Sequence, residues 1–318
     1  MSLPASLQHL RLPVICAPMF IVSNPKLVVE QCKAGVVGSF PALNARGDGA
    51  LNEWLTGIKA ELAADKAAGG SPAPFAVNQI VHPSNNRLAE DIQVCLSHQV
   101  PVFITSLQAP PKELVDGAHA YGGIVLHDVI NVRHAKKALE AGVDGLILVA
   151  AGAGGHAGML SPFALVGEIR KFYDGLIVLS GSIATGDAIL SAQAMGADLA
   201  YMGTRFICTT EANADAAYKQ GIIDAAANDV IYTNLFTGVH GNYLRQSIVT
   251  AGLDPDNLPV ADKTKMNFGS GGNSAAKAWK DIWGVGQGVG LIDDAPSTAE
   301  LVNHLEAEYK AARGRLAL

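Results

Sequence analysis

The sequence is poor in cysteine, and its few cysteines lie far apart. Only Cys16, Cys32, Cys95 and Cys208 occur among 318 residues, with no CxxC pair and no spacing typical of zinc. This pattern excludes a disulfide-rich secreted scaffold and gives no indication of a bound metal. We expect four reduced, mostly buried thiols, as in a cytoplasmic protein.

Charged residues are also scarce, and the basic ones form no runs. They make up 16% of the chain, with a net charge of −6. Without a basic patch, neither nucleic acid nor a membrane surface is expected as a partner. No apolar run approaches the length that spans a bilayer. Pro13 and Pro18 interrupt the N-terminal apolar stretch, which has no basic leader and is unlike a signal peptide.

Hydrophobic residues are abundant, at 49%, and many fall in short runs separated by amphipathic stretches. Continuous apolar runs are typical of parallel strands buried on both faces. Eight strand–helix units in succession favour a closed α/β fold, the (β/α)8 or TIM barrel, over an open sheet. The eight predicted strands are Val14–Ala17, Gly35–Phe40, Phe75–Asn78, Val102–Ser106, Gly123–His127, Gly145–Val149, Leu176–Ser180 and Leu199–Met202.

The regular alternation of predicted strands and helices stops after Cys208, which indicates an inserted segment. Residues 211–275 contain a helical stretch, an irregular part and the loose segment NFGSGGNSAA at their end. We expect residues 1–210 and 276–318 to form the barrel, and 211–275 to form a mainly helical cap over its mouth. Ser297 and Glu300 have capping-box spacing, so a final helix should follow.

Two glycine-containing turns follow the last two predicted strands. Gly181-Ser182 and Gly203-Thr204 lie where barrels of this kind often bind a phosphate, because glycine lets backbone amides approach an anion and hydroxyls add donors. Tight turns without a ligand are the alternative explanation. The pattern predicts a bound phosphate group and does not specify the molecule that carries it.

The turn after the sixth strand surrounds a histidine with small residues, from Ala150 to Gly158. His156 should therefore be exposed, and an imidazole can accept a proton near neutral pH. A structural role is the alternative for any single histidine. Its position at a strand end makes His156 the candidate catalytic residue, with Gly155 beside it.

Three further features could contact a ligand. Asn78 could hydrogen-bond a polar ring edge or form a turn, and Asp128 could be a ligand contact or a helix cap. The segment Gly284–Gly290 (GVGQGVG) contains a GxGxxG-like string outside any clear βαβ unit. This context argues against a dinucleotide-binding role. The segment is better explained as a glycine-lined loop that packs against a flat ring.

Several of these segments together resemble the nitronate monooxygenase family, formerly called 2-nitropropane dioxygenases. The similarity extends over nearly the whole chain, in order and at compatible spacing. The segments that carry it are ICAPMF, AVNQI, GAGGHAG, SGSIATG, MGTRF and WGVGQGVGLIDD.

The resemblance implies noncovalently bound FMN and the oxidation of alkyl nitronates by dioxygen. It implies that Ala17-Pro18-Met19 run along the flavin ring and that Asn78 contacts its polar edge. It also implies that the two glycine turns hold the 5′-phosphate with Gly286-Gln287-Gly288 nearby, and that His156 lies near the reactive face. Quinone-reducing relatives place a lysine where this chain has Asp128, which argues against that activity.

Alternative functions remain open. They are an NADH:quinone or enoyl-thioester reductase with FMN, a flavin-free barrel for a phosphorylated ligand, and a small-molecule binding protein without catalysis. Residues 232–259 should shape the substrate side, where Arg245 could pair with a substrate carboxylate or form a surface ion pair. The sequence leaves open the role of His240 and the oligomeric state, a homodimer included.

Overall fold

The computed structural model describes residues 3–261 and 281–317. The loose segment NFGSGGNSAA and the predicted boundary at residues 275 and 276 lie outside the described residues. In the described residues no helix has the length and apolarity that a membrane crossing requires.

Eight parallel strands form one barrel, which confirms the predicted fold class. Their order is β1-β9-β8-β6-β5-β4-β3-β2, and a bridge between Ile15 and Val37 joins the first and last. The strands are β1 Val14–Cys16, β2 Gly38–Pro41, β3 Phe75–Val81, β4 Val102–Leu107, β5 Ile124–Val129, β6 Gly145–Val149, β8 Leu176–Ser180 and β9 Leu199–Met202.

The first seven helices lie between the barrel strands in sequence, and four more described helices follow the last barrel strand. These helices are α1 Pro25–Lys33, α2 Ala50–Ala67, α3 Leu88–Ser97, α4 Lys112–His119, α5 Val132–Glu140, α6 Pro162–Arg170, α7 Gly186–Ala194, α8 Thr204–Ile207, α9 Ala216–Ile223, α10 Arg245–Thr250 and α11 Thr298–Arg315. Short 3-10 turns occupy Ala5–Leu7, Ala42–Asn44, Ala227–Asp229 and Gln287–Leu291. Gly142 and Gly196 have positive φ just after α5 and α7, as is usual for glycines that end helices. Ser297 and Glu300 form the predicted capping box on α11.

A second, antiparallel sheet lies outside the barrel, and the sequence pattern gave no indication of it. It joins β10 Val230–Thr233, β11 Gly241–Leu244 and the short β7 Gly155–His156, in the order β10-β11-β7. The segment after residue 210 therefore carries a strand pair in addition to the helices α9 and α10. This pair connects the segment to the turn that holds His156.

The core has two layers because side chains alternate across each strand. One cluster fills the barrel interior, with Ile15, Ile104, Leu126, Ile147 and Val178 among its members. The other lies between the strands and the surrounding helices. All four cysteines are buried and free, and burial raises the pKa of each thiol, as expected for unreactive core cysteines.

Candidate functional site

A cavity of about 1260 Å³ opens at the carboxyl ends of the barrel strands. Its floor consists of residues at or near the carboxyl ends of the strands, at the edge of the apolar interior. Seven such residues line it: Ala17, Asn78, Ser106, Asp128, Val149, Ser180 and Tyr201. The inward-facing positions are thus apolar inside the barrel and partly polar at its carboxyl end.

Three of these floor residues form a hydrogen-bonded row across β3, β4 and β5. The Asn78 amide donates to the Ile104 carbonyl oxygen at 3.2 Å and to the Ser106 hydroxyl at 2.8 Å. Ser106 in turn donates to Asp128 Oδ2 at 2.6 Å. Both Asn78 amide hydrogens are therefore used, which leaves its carbonyl oxygen as the group that can accept a bond from a ligand.

Asp128 and Tyr201 carry buried polar atoms that have no partner among the described residues. These are Asp128 Oδ1 and the Tyr201 hydroxyl. Burial raises the pKa of Asp128 to about 7. Burial, together with the nearby Asp128, also raises the pKa of Tyr201 well above its usual value. Unpaired buried polar atoms are costly, so they mark a place where the polar edge of a ligand would be stabilised.

The side chains of Asp128 and its neighbour His127 point to opposite faces of β5. Asp128 lies within β5, and α5 is capped instead by Asn131, whose side chain accepts from His134 N at 2.9 Å. The helix-cap alternative for Asp128 is therefore wrong. His127 points towards the helices and bonds Thr105 Oγ1 at 2.7 Å. Burial lowers its pKa to about 4.

The two glycine turns after β8 and β9 line the same cavity, and a third segment joins them. Gly152 O accepts from Ser182 N at 3.3 Å and from Gln287 N at 2.9 Å. Thr204 Oγ1 accepts from Gly286 N at 2.9 Å. Ser182 has a positive φ of 57°, which is the conformation that a glycine adopts most readily. Hydroxyls and backbone amides thus gather at one end of the cavity.

The GVGQGVG segment packs against these turns at very short range. A side chain at Gly286 would come within 2.7 Å of Gly152 O, and one at Gly288 within 3.0 Å of Ala184. Gly288 lines the cavity. Gln287 is exposed and does not line the cavity, but its side chain lies beside the same junction. A side chain at Gly152 would contact both Ser182 Oγ and Gln287 Oε1.

Ala17, Pro18 and Met19 form a wall of the cavity next to the β9 turn. A side chain at Gly203 would contact Ala17 Cβ at 3.4 Å and Met19 Sδ at 3.8 Å. The wall is therefore apolar and lies beside the turn with the Thr204 hydroxyl. An apolar wall, a polar floor and a cluster of anion-type donors suit an amphipathic ring that carries a phosphate.

His156 lines the cavity, but the prediction that it is exposed was wrong. It is half-buried because β7 pairs with β11, with His156 opposite Gly241. Its Nε2 lies 2.9 Å from Thr237 Oγ1. Burial lowers the pKa of His156 to about 4, so the ring is neutral near pH 7. Gly155, with φ of +65° and open space on its side-chain side, keeps the approach to the ring clear.

Arg245 and His240 lie away from this cavity. Arg245 forms two bonds to Asp256, at 2.9 and 3.0 Å, so the surface ion pair is the alternative that the structure supports. His240 stacks on Tyr232 with ring centroids 5.1 Å apart. Sequence reasoning missed Ser106 and Tyr201, although their even spacing from inward-facing strand residues could have identified them. Nothing in the sequence indicated Thr237.

A family model described as nitronate monooxygenase matches residues 3–308 of this chain. The chain belongs to the nitronate monooxygenase family. It is therefore an enzyme of the flavin oxidoreductase type, and its family acts on small nitronates with dioxygen.

Relatives and solved structures agree with this assignment. A nitronate monooxygenase of Paraburkholderia phytofirmans is 28% identical and covers 94% of this chain and 92% of its own length. A nitronate monooxygenase of Neurospora crassa is 27% identical and covers 93% of this chain and 89% of its own length. The structure of FabK from Thermotoga maritima has a TM-score of 0.76 at 22% identity, covering 98% and 96%. The nitroalkane oxidase of Streptomyces ansochromogenes has a TM-score of 0.75 at 24% identity, covering 96% and 97%. These two structures support the barrel fold.

Proposed function

We propose that this enzyme binds FMN and oxidises alkyl nitronates, such as propionate 3-nitronate, with dioxygen to a carbonyl product and nitrite. The observation that carries the proposal is the convergence of three features on one cavity. These are the donor cluster at the β8 and β9 turns, the polar floor with unpaired atoms, and His156. They occur in a chain whose family oxidises nitronates.

The residues present fit FMN in chemistry. The amides of Gly181, Ser182, Gly203 and Thr204 would hold the phosphate, and Ala17-Pro18-Met19 would contact the ring. Asn78 Oδ1 and the orphaned Asp128 Oδ1 would meet its polar edge. Gly286 and Gly288 pack tightly against the turns, which favours a cofactor that ends at the phosphate. When bound, FMN would supply the redox chemistry between the nitronate and dioxygen.

His156 is the residue assigned to the substrate. A neutral ring can accept the proton of a nitroalkane or hydrogen-bond a nitronate that is already anionic. The strand β11 pairs with the strand that carries His156 and reduces the contact of the ring with water, which strengthens hydrogen bonds inside the site. Its low pKa makes it a weak base, so proton removal would depend on the site stabilising the nitronate as it forms.

Two measurements test the proposal. The purified protein should show the absorbance spectrum of bound flavin and should consume oxygen when propionate 3-nitronate is added. The variant His156→Asn should lose about 10²–10⁴-fold with a nitroalkane and much less with the preformed nitronate. Equal rates for variant and wild type on both substrates would exclude His156 as the catalytic residue. A colourless protein that takes up no FMN would exclude the cofactor.

A second candidate is an NAD(P)H-dependent FMN reductase acting on enoyl thioesters or quinones. The cavity, at about 1260 Å³, exceeds the usual range for small-molecule sites. It extends past the floor to Arg46 and Arg87, whose guanidinium groups could meet a phosphorylated substrate or cosubstrate. Rapid bleaching of the flavin on anaerobic mixing with NADH or NADPH would favour this candidate, and slow bleaching would favour the nitronate reaction.

A further inference from the structure

The strands β10 and β11 and the turn between them contact the segment that carries His156. The His240 carbonyl oxygen accepts from Ala157 N at 3.1 Å. The Tyr232 hydroxyl donates to the Ala157 carbonyl oxygen at 2.9 Å, and the Asn242 amide donates to that of Ala153 at 2.6 Å. These bonds fix the backbone on both sides of His156. They do not involve the imidazole nitrogens, one of which contacts a side chain.

That contact is Thr237, in the turn between the two strands. Its Oγ1 lies 2.9 Å from His156 Nε2 and 3.0 Å from the Val239 carbonyl oxygen, to which it donates. It also accepts from Val239 N at 3.2 Å. A threonine hydroxyl has one hydrogen, and the Val239 carbonyl can only accept. Because that hydrogen goes to Val239, the bond to His156 must be donated by Nε2–H.

We infer that Thr237 is a positioning residue that holds His156 in its Nε2–H tautomer and so makes Nδ1 the basic atom of the ring. The inference rests on the proposed catalytic role of His156. The partner of one imidazole nitrogen sets the proton on the other, as in many histidine sites. The inserted segment thereby decides which ring atom can take a substrate proton, although it contributes no reacting group.

Tyr243 is a further neighbour of Thr237. Burial raises the pKa of Tyr243 to about 12, so its hydroxyl stays protonated near pH 7. Tyr243→Phe is therefore a matched control. It removes a hydroxyl from the same cluster and should leave the hydrogen bond between Thr237 and His156 in place.

The tautomer can be measured without substrate by ¹⁵N NMR of histidine-labelled protein as purified, with the His156 signal assigned by its loss in His156→Asn. Wild type, Thr237→Ser and Tyr243→Phe should show the proton on Nε2. Thr237→Val, which keeps the shape but removes the hydroxyl, should shift the ring towards a mixture of tautomers. A wild-type ring with its proton on Nδ1, or an unchanged tautomer in Thr237→Val, would overturn the inference.

Kinetics provide the second test. Thr237→Val should lower kcat for a nitroalkane by about 10–100-fold with little change in KM, whereas Thr237→Ser should restore most of the rate. The preformed nitronate should be turned over almost normally. A loss in Thr237→Val that Thr237→Ser does not rescue would count against the positioning role. If His156→Asn itself retained full activity, the proposed catalytic role of His156 would fail while the NMR result on the tautomer would stand.

Discussion

At the residue scale, the most unusual group is the Asp128 carboxyl on the cavity floor. Its pKa is raised to about 7 by burial, and its one hydrogen-bond donor among the described residues is Ser106. In the unfolded chain the same carboxyl titrates near 3.8. The folded protein therefore binds the proton more tightly. The contribution of Asp128 to the free energy of unfolding should therefore be largest below about pH 3.8 and should be lost as the pH rises through about 7.

The variant Asp128→Asn should remove this pH dependence. Relative to wild type, its free energy of unfolding should improve between pH 5 and pH 8, by at most about 3 kcal/mol. Denaturant unfolding of the flavin-free protein at both pH values measures this difference. The variant Asp116→Asn is a suitable control, because that carboxylate is exposed on α4 and pairs with a lysine, Lys112, and not with a histidine. An Asp128→Asn curve parallel to wild type would contradict the assigned pKa.

At the scale of elements, the site depends on how closely three turns approach one another. Gly286 has an ordinary negative φ of −93°, so its need for glycine is purely steric. A methyl group there would lie 2.7 Å from Gly152 O and 3.1 Å from Gly154 N. Since both are backbone atoms, the clash can be relieved only by moving the turn that leads to His156.

Gly286→Ala should therefore weaken FMN binding by about tenfold or more and destabilise the protein by about 1–3 kcal/mol. Flavin fluorescence titration and denaturant unfolding measure the two effects. The same substitution at Gly57 is the matched control. That residue is exposed within α2 with open space around it, and alanine there should stabilise by about 0.5–1 kcal/mol. Unchanged cofactor affinity in Gly286→Ala would exclude the close-packed junction as part of the binding site.

At the scale of the whole molecule, the C-terminal helix α11 packs against both the barrel strands and helix α7. Leu301, Val302 and Leu305 on α11 are buried in a cluster with Val14 and Met202 from the barrel strands. Gly186 at the start of α7 approaches α11 so closely that a side chain would lie 2.3 Å from Tyr309 N. Arg11 reaches α11 from the other end of the chain and pairs with Glu306 at 2.5 Å. The two ends of the chain are thus packed together.

Leu305→Ala should destabilise the whole barrel by about 2–5 kcal/mol, because Leu305 is only 2% exposed and its loss leaves a cavity between elements from both ends of the chain. Leu316→Ala removes the same atoms from a residue that is 60% exposed and should change stability little. Denaturant unfolding followed by near-UV circular dichroism compares them. A transition in Leu305→Ala confined to α11, with the barrel signal unchanged, would show that α11 is not part of the cooperative unit.

The sequence by itself determined the barrel, since strand runs such as Leu176–Ser180 and caps such as Gly196 follow from local hydrophobicity and backbone preference. It also placed Asn78, Ser182 and Thr204 at strand ends, because parallel strands bring those ends together. Only the tertiary structure decided how the site is completed. The bond from His156 to Thr237, the row from Asn78 to Asp128 and the packing of Gln287 against the Gly152 turn depend on contacts between residues remote in sequence, and no local pattern encodes them.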